Sequence, residues 1–156
     1  MEHTFKRTAT NDIDFLYLVS CLDNELWNEL NEDQATYDQF NKVENISTDL
    51  LIYINDKPVG CGCFKKFNQD TAEIKRMFIQ KGHRGIGLSK KLLHKLEQWA
   101  VEKDYRHAVL ETSVHFRIAR SLYENNGYKI IPNYPPYERL PESVCMKKEL
   151  LTRIIK

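Results

Sequence analysis

A short glycine loop constrains the fold of this chain more than any other stretch. The loop reads Arg84, Gly85, Ile86, Gly87, Leu88 and Ser89, and it separates a strand-like run at 71–79 from an amphipathic run. A loop that ends in the first turn of a helix presents backbone N–H groups without intrahelical partners, at the positive end of the helix dipole. Because Gly85 and Gly87 lack Cβ, an anion can approach that backbone closely. The stretch therefore predicts a strand, a phosphate-binding loop and a helix.

The run after the loop has the periodicity of an amphipathic helix. At about 100° per residue, one arc carries the apolar side chains. These are Leu88, Leu92, Leu93, Leu96, Trp99 and Ala100. The opposite arc carries Lys90, Lys91, His94, Lys95, Glu97 and Gln98, with Val101 as the exception. We therefore predict one buried and one solvated face.

Two other phosphate loops are excluded by the residues present. No Lys-Ser/Thr pair closes a P-loop, and the third glycine of a dinucleotide-binding fingerprint is missing. The six residues resemble the Arg/Gln-x-x-Gly-x-Gly/Ala signature of the GNAT N-acetyltransferases, whose loop holds the pyrophosphate of acetyl-coenzyme A. Ser89 departs from that signature, since the family prefers Gly or Ala there. On these six residues alone, a loop that only turns the chain into a helix stays an alternative.

Length and composition indicate one ordinary globular domain over residues 1–156. The formal net charge is +1, with 42% hydrophobic and 29% charged residues, so nothing points to nucleic acid. The N-terminal stretch has no long apolar run, so we expect neither a secretory signal nor a membrane anchor, and a cytoplasmic location by default. Cys21, Cys61, Cys63 and Cys145 form no paired Cys-x-x-Cys knuckle, which predicts reduced thiols and no metal.

The order of predicted elements is mixed. Strands are predicted at 3–9, 49–54, 59–64, 71–80, 108–113, 128–131 and 143–150. Helices are predicted from a cap at Asn11 or Asp12 to residue 22, at 33–43, from 88 to about 101, and at 116–126; residues 23–30 are taken as a connection. Short turns suit antiparallel pairs and crossover helices suit parallel ones, so we predict one α/β or α+β domain with both kinds of pair.

This order is also that of the GNAT fold, and the resemblance covers nearly the whole chain. It implies a central mixed seven-stranded sheet flanked by about four helices. Ala72-Glu73-Ile74 begins the strand that precedes the loop, and Ala119, Leu122, Tyr123, Gly127 and Tyr128 resemble the family's late Asn-x-x-Ala-x-x-Leu-Tyr-x-x-x-Gly-Phe pattern. Phe116 stands where that pattern has an Asn that contacts the cofactor in relatives, which puts one polar contact in doubt.

The resemblance implies an acetyl-CoA cofactor, held by the loop 84–89, by the backbone of Met77, Phe78 and Ile79, and by Phe116, Ala119 and Tyr123. Glu73 is the candidate general base, since an amine must lose a proton before attack. The alternative is a strand glutamate paired to Lys75 or Lys66. Tyr123 is the candidate acid for the leaving thiolate, at the edge of a face formed by Ile118, Ala119 and Leu122; the alternative is a boundary tyrosine with a wet hydroxyl.

The acceptor side is expected to be aromatic. In this fold the early helices and the last loop usually bind the acceptor, which selects Trp27, Tyr37 and Phe40 facing Tyr134 and Tyr137, with Glu25, Glu29 or Glu32 to attract a cation; ordinary core is the alternative. We predict direct transfer to a primary amine in a ternary complex, most simply a small-molecule amine or amino acid. A protein or peptide acceptor, a non-catalytic acyl-CoA sensor and a homodimer stay open.

Overall fold

The structure, a computed structural model, describes residues 2–9, 11–30 and 46–150. The second predicted helix, at 33–43, lies outside these residues, and so do Tyr37 and Phe40.

Seven strands form one mixed sheet, as predicted, and the structure gives their order as β1-β2-β3-β4-β5-β7-β6. The strands are β1 His3–Thr8, β2 Asp49–Ile54, β3 Lys57–Lys66, β4 Thr71–Ile79, β5 His107–Ser113, β6 Lys129–Ile131 and β7 Ser143–Glu149. β4 pairs with β5 in parallel, whereas β1–β2, β2–β3, β5–β7 and β6–β7 are antiparallel. The described residues contain three α-helices: α1 Ile13–Leu30, α2 Leu88–Glu102 and α3 Arg117–Asn125.

The first hairpin of the sheet follows from its turn residues. Asn55 and Asp56 connect β2 to β3 and have φ values of 50° and 63°. A two-residue hairpin with both central residues in the left-handed region matches the twist of antiparallel strands, and Asn and Asp tolerate that region best after Gly. The strands predicted at 49–54 and 59–64 leave a four-residue turn at 55–58, whereas the observed turn has two residues because β3 begins at Lys57.

The first helix begins as predicted but ends later. Asp12 is the cap, because its Oδ1 accepts hydrogen bonds from the backbone N–H groups of Asp14 and Phe15 at 2.9 and 3.2 Å. The helix then continues to Leu30, so the prediction that 23–30 is a connection was wrong. Asp23 and Glu25 of this extension each bind an arginine of the same unit, and such tertiary contacts are not encoded in the local pattern.

The chain divides into two compact units, Met1–Cys63 with Arg76–Leu92, and Phe64–Lys75 with Leu93–Lys156. The first has an apolar cluster in which α1 packs on strands: Phe15, Leu18, Val19, Leu51, Cys61, Cys63 and Phe78. Gly60 has a packing role there, because a Cβ atom at this position would lie 2.6 Å from Ile79 Cδ1. In the second unit, β5 and β7 carry the buried side chains of Leu110 and Met146.

The apolar arc of α2 is buried along its whole length, as predicted, from Leu88 at 4% exposure to Trp99 at 8%. Glu97 was wrongly placed on the solvated arc, since it is only 7% exposed. Tyr128 Oη and Lys148 Nζ donate hydrogen bonds to its two carboxylate oxygens at 2.8 and 2.9 Å. A buried carboxylate is stable when it is paired in this way.

Candidate active site

The glycine loop has the backbone conformation that its residues predict. After β4, a short 3₁₀ helix at Lys81–His83 leads into the loop, and Gly85 and Gly87 have φ values of +81° and +83°. Apart from each glycine and its two neighbours in the chain, no heavy atom of the described residues lies within 4 Å of a Cβ atom built at either position. The loop therefore offers open space beside its backbone, at the N-terminus of α2. This combination fits a pyrophosphate group.

Arg84 is held by protein groups at the start of the loop. Its Nη1 and Nη2 donate hydrogen bonds to Glu25 Oε1 and Oε2 at 2.8 and 2.6 Å, and its Nε donates to the carbonyl of Ile79 at 2.8 Å. The guanidinium also lies 5.5 Å from the ring centre of Phe78. The sequence assigned Arg84 to the phosphate and Glu25 to a cationic acceptor, whereas the structure pairs the two.

Strand β4 is distorted next to the predicted backbone contacts. Arg76 has a φ of +61°, which is an uncommon conformation for a non-glycine residue. Cys61 Sγ donates to the Arg76 carbonyl at 3.4 Å, and Arg76 Nη1 donates to Asp23 Oδ1 at 3.0 Å. These contacts fix the irregular conformation one residue before Met77. Nothing in the local sequence signals it, because Arg shows no preference for positive φ.

Glu73 is buried and held from two sides. It is 5% exposed, Tyr134 Oη donates a hydrogen bond to its Oε2 at 2.9 Å, and Lys65 Nζ lies 4.0 Å from its Oε1. The lysine beside it is Lys65, rather than the Lys75 or Lys66 weighed from the sequence.

Glu111 is a second carboxyl that sequence reasoning did not assign to the site. Glu73 pairs with Val109 of β5, and Glu111 lies two residues further on, so both glutamates are on the same face of the sheet. Ser143 Oγ donates to Glu111 Oε2 at 2.7 Å. Burial raises the pKa of Glu111 to about 7; the charge of Glu73 acts in the same direction, whereas the Ser143 hydrogen bond and the charge of Lys75 oppose the rise. The sequence feature that could have identified Glu111 is a single charged residue within the buried strand predicted at 108–113.

Tyr123 is the one buried residue of α3 and packs edge-to-face on Tyr128, with ring centres 5.9 Å apart. Burial, followed by the charge of Glu111, raises the pKa of Tyr123 to about 12. Phe116 and Ala119 are half-buried. The prediction that Ile118 shares the buried face was wrong, since it is 91% exposed.

The predicted acceptor residues differ in exposure. Trp27, on α1, is 50% exposed, whereas Tyr134 and Tyr137 are 8% and 1% exposed. The two tyrosines pack edge-to-face with ring centres 5.7 Å apart, which is the arrangement expected of core residues. Tyr37 lies outside the described residues.

No group of three or more His, Cys, Asp or Glu side chains that could hold a metal occurs in the described ranges. Within the same ranges, no helix is long and apolar enough to cross a membrane.

Comparison with known proteins identifies the family. The profile of the acetyltransferase (GNAT) family matches residues 13–128, and the chain belongs to this family. The uncharacterized N-acetyltransferase YsnE of Bacillus subtilis is 33% identical over 97 residues, which cover 61% of this chain and 64% of that protein. The match spans less than two thirds of the length of YsnE and of two further curated relatives.

Two solved structures extend the likeness to nearly the whole chain. A protein from Klebsiella pneumoniae assigned as an acyl-CoA N-acyltransferase has a TM-score of 0.79 and 33% identity, and the match covers 96% of this chain and 98% of that one. A GNAT acetyltransferase from Elizabethkingia anophelis with acetyl-CoA bound has a TM-score of 0.68 at 17% identity, over 95% and 98% of the two chains, and supports the fold alone. The predictions of a GNAT fold, an acyltransferase and an acetyl-CoA cofactor are confirmed at the level of the family.

Proposed function

We propose that this chain transfers the acetyl group of acetyl-CoA directly to the primary amine of a small molecule, with an amino acid as the favoured class. The observation that carries the proposal is the pair of carboxyls on one face of β4 and β5, Glu73 and Glu111, with lysines beside them. Such a pair supplies both a proton acceptor and a place for an ammonium group.

The loop 84–89 is the proposed seat of the pyrophosphate. Positive φ and open space at Gly85 and Gly87 leave the backbone accessible, and the side chain of Ser89 is small enough to keep the first turn of α2 open. We assign Met77 and Phe78, after the distortion at Arg76, and Phe116 and Ala119 to the remaining cofactor contacts. When bound, acetyl-CoA supplies an acetyl group activated as a thioester.

Glu73 is the proposed base. An amine is largely protonated near neutral pH and must lose a proton before its nitrogen can attack the thioester. A carboxylate oxygen can accept that proton. The hydrogen bond from Tyr134 fixes the position of Glu73 Oε2, and Lys65 lies nearer Oε1. A fixed acceptor in a buried setting is the geometry that general base catalysis needs.

Glu111 is the second candidate for the base, favoured by its own observation. Its pKa of about 7 places it near the pH at which a general base works best. Ser143 orients one of its oxygens. The charge of Glu73 contributes to the raised pKa of Glu111, so a substitution that removes this charge should lower the pKa of Glu111.

Tyr123 is the proposed acid. With a pKa raised to about 12, its hydroxyl keeps its proton throughout the neutral range and holds it available for a leaving sulfur. Cys145 lies in the same unit, and burial raises its pKa to about 11, so its thiol is not ionised at neutral pH. That favours direct transfer over a thioester formed on this cysteine.

The charges around the two glutamates favour an acceptor that carries both an ammonium and a carboxylate. Lys65 lies beside Glu73, and Lys75 acts on Glu111. Carboxylates can bind an ammonium group while a lysine binds the acceptor's own carboxylate. Trp27, Tyr37, Tyr134 and Tyr137 remain the proposed aromatic side of acceptor binding, although burial of the last two favours a supporting role.

The test is a turnover screen in which each amino acid is paired with the amine that remains after its carboxylate is removed. We expect amino acids to be acetylated with higher kcat/KM than their matched amines. Equal kcat/KM values for the two members of a pair would show that the lysines do not bind the acceptor's carboxylate. Faster acetylation of peptides would favour a protein acceptor. Binding of coenzyme A without turnover of any acceptor would favour a sensor.

The free thiols of all four cysteines support the proposed cytoplasmic location. A homodimer remains compatible with the proposal.

A further inference from the structure

The ion pair between Arg84 and Glu25 differs from an ordinary surface pair. It is bidentate, because Nη1 donates to Oε1 at 2.8 Å and Nη2 donates to Oε2 at 2.6 Å. The side chains are 39% and 32% exposed, so water screens the pair only in part. A two-point contact fixes the plane of a guanidinium as well as its position.

The same guanidinium connects the loop to the strand before it. Arg84 Nε donates to the carbonyl of Ile79, the last residue of β4, at 2.8 Å, and the ring of Phe78 lies 5.5 Å away. Arg84 therefore holds the end of β4 against the start of the glycine loop. Glu25, from α1, holds Arg84 in the orientation that makes this contact.

We propose that Glu25 is a positioning residue for the cofactor loop: by orienting Arg84, it sets the spacing between the end of β4 and the backbone N–H groups of Gly85–Ser89, and so sets the affinity for coenzyme A without touching it. The inference rests on the proposal that this loop seats the pyrophosphate. It also reassigns Glu25, which the sequence offered to a cationic acceptor.

A mispositioned loop should weaken cofactor binding but not the chemistry. Glu25→Gln keeps the size of the side chain and removes its charge, so Arg84 loses its charged bidentate partner. We expect the dissociation constant of coenzyme A, measured by calorimetry, and the KM for acetyl-CoA to rise about tenfold, as expected for one hydrogen bond to a charged group. The kcat at saturating acetyl-CoA should stay unchanged.

The chain contains a matched control. Arg120 and Glu124 form an exposed pair on α3, with 37% and 47% exposure and a distance of 2.8 Å. Glu124→Gln removes a similar exposed guanidinium–carboxylate pair, which includes no residue of the loop 84–89, and it should leave coenzyme A affinity unchanged. A fall in melting temperature without a change in affinity in Glu25→Gln would show a purely structural pair and overturn the proposal.

A double variant separates positioning from direct phosphate contact. If Glu25 acts through Arg84, the double variant Glu25→Gln, Arg84→Gln should lose no more affinity than the weaker-binding single variant. If the losses add, or if Glu25→Gln binds coenzyme A more tightly because the freed Arg84 meets the phosphate, the proposal is wrong. Gly87→Glu tests the phosphate seat itself. If Gly87→Glu binds coenzyme A with unchanged affinity, the proposed seat is refuted. If Gly87→Glu loses binding while Glu25→Gln keeps the wild-type affinity, only the positioning role of Glu25 is refuted.

Discussion

Tyr134 Oη donates a hydrogen bond of 2.9 Å to Glu73 Oε2, and both side chains are buried. Burial, reinforced by the charge of Glu73, raises the pKa of Tyr134 far above its usual range, so the phenol remains the donor at every accessible pH. The contact joins a tyrosine that the sequence assigned to the acceptor with the carboxylate that it assigned to catalysis. Under the proposed mechanism, in which Glu73 is the base, Tyr134 fixes the position of Glu73 Oε2.

Gly87→Glu should abolish coenzyme A binding. The substitution places a side chain and a negative charge at the phosphate seat, in a backbone conformation that L residues rarely adopt. Gly82→Glu is the matched control, because it adds the same charge before the loop at an open glycine without positive φ. Calorimetry that finds the two variants binding equally well would contradict the seat at 84–89.

Tyr123→Phe should lower kcat by ~10²-fold or more, because the ring remains and only the proton donor is lost. Affinity for acetyl-CoA should change little. Tyr105→Phe is the control, because it removes the hydroxyl of a tyrosine whose ring packs edge-to-face on Phe64, and it should leave kcat unchanged. If Tyr123→Phe retains full kcat while chemistry limits the rate, another group protonates the sulfur.

Since the pKa of Tyr123 is about 12, its hydroxyl should keep its proton up to about pH 10. We therefore expect that ionisation of Tyr123 does not lower the turnover rate on the alkaline side of the pH–rate profile below that pH.

Glu97→Gln should lower the free energy of unfolding by about 1.5–3 kcal/mol, because a charged acceptor of two hydrogen bonds becomes a neutral one in a buried site. Tyr128→Phe should cost less, about 1 kcal/mol, since Lys148 still pairs with Glu97. Urea unfolding measures both, and the double variant should show coupling. Additive losses would mean that the two side chains do not interact.

The stability of the protein should depend on the titration of Glu111. A carboxyl whose pKa is raised by folding favours the folded state fully at pH values below its unfolded pKa, and this contribution is lost as pH rises through about 7. Glu111→Gln should therefore raise the melting temperature relative to the wild type at pH 8, with a smaller gain at pH 5. A difference that does not vary with pH would show that the pKa of Glu111 is not raised.

The sequence predicts the features that depend on local periodicity and turn chemistry. The buried arc of α2 follows from the spacing of Leu88, Leu92 and Leu96, and the turn at Asn55 and Asp56 follows from residues that tolerate positive φ. The loop is recognisable because glycines are needed where backbone must approach an anion. These signals lie within a few residues of each other.

What the sequence does not predict depends on residues far apart in the chain. Glu97 reads as solvated until Tyr128 and Lys148 supply its partners, and Glu111 reads as an isolated charge until Ser143 and Glu73 are placed near it. The extension of α1 to Leu30 and the positive φ of Arg76 likewise involve contacts across the first unit. Ile118 shows the opposite error, since an apolar residue on a helix is assigned to the core by pattern although it is 91% exposed.

The most direct test of the proposed chemistry is the pH dependence of turnover in Glu73→Gln and Glu111→Gln. If Glu73 removes the proton, Glu73→Gln should reduce kcat/KM by ~10²-fold or more at pH 7, with a smaller loss at higher pH where free amine is abundant. Glu111→Gln should keep most of the activity. Melting temperatures of both variants show whether any loss reflects folding instead.

The contrary result would assign the base to Glu111. In that case Glu111→Gln loses the activity, and the wild-type rate rises with pH through about 7 as that carboxyl ionises. Glu73→Gln then stays active, and its acidic limb moves to lower pH, because removal of the Glu73 charge lowers the pKa of Glu111. We predict the collapse of activity in Glu73→Gln; an active Glu73→Gln whose acidic limb is displaced would show that Glu73 is not the base.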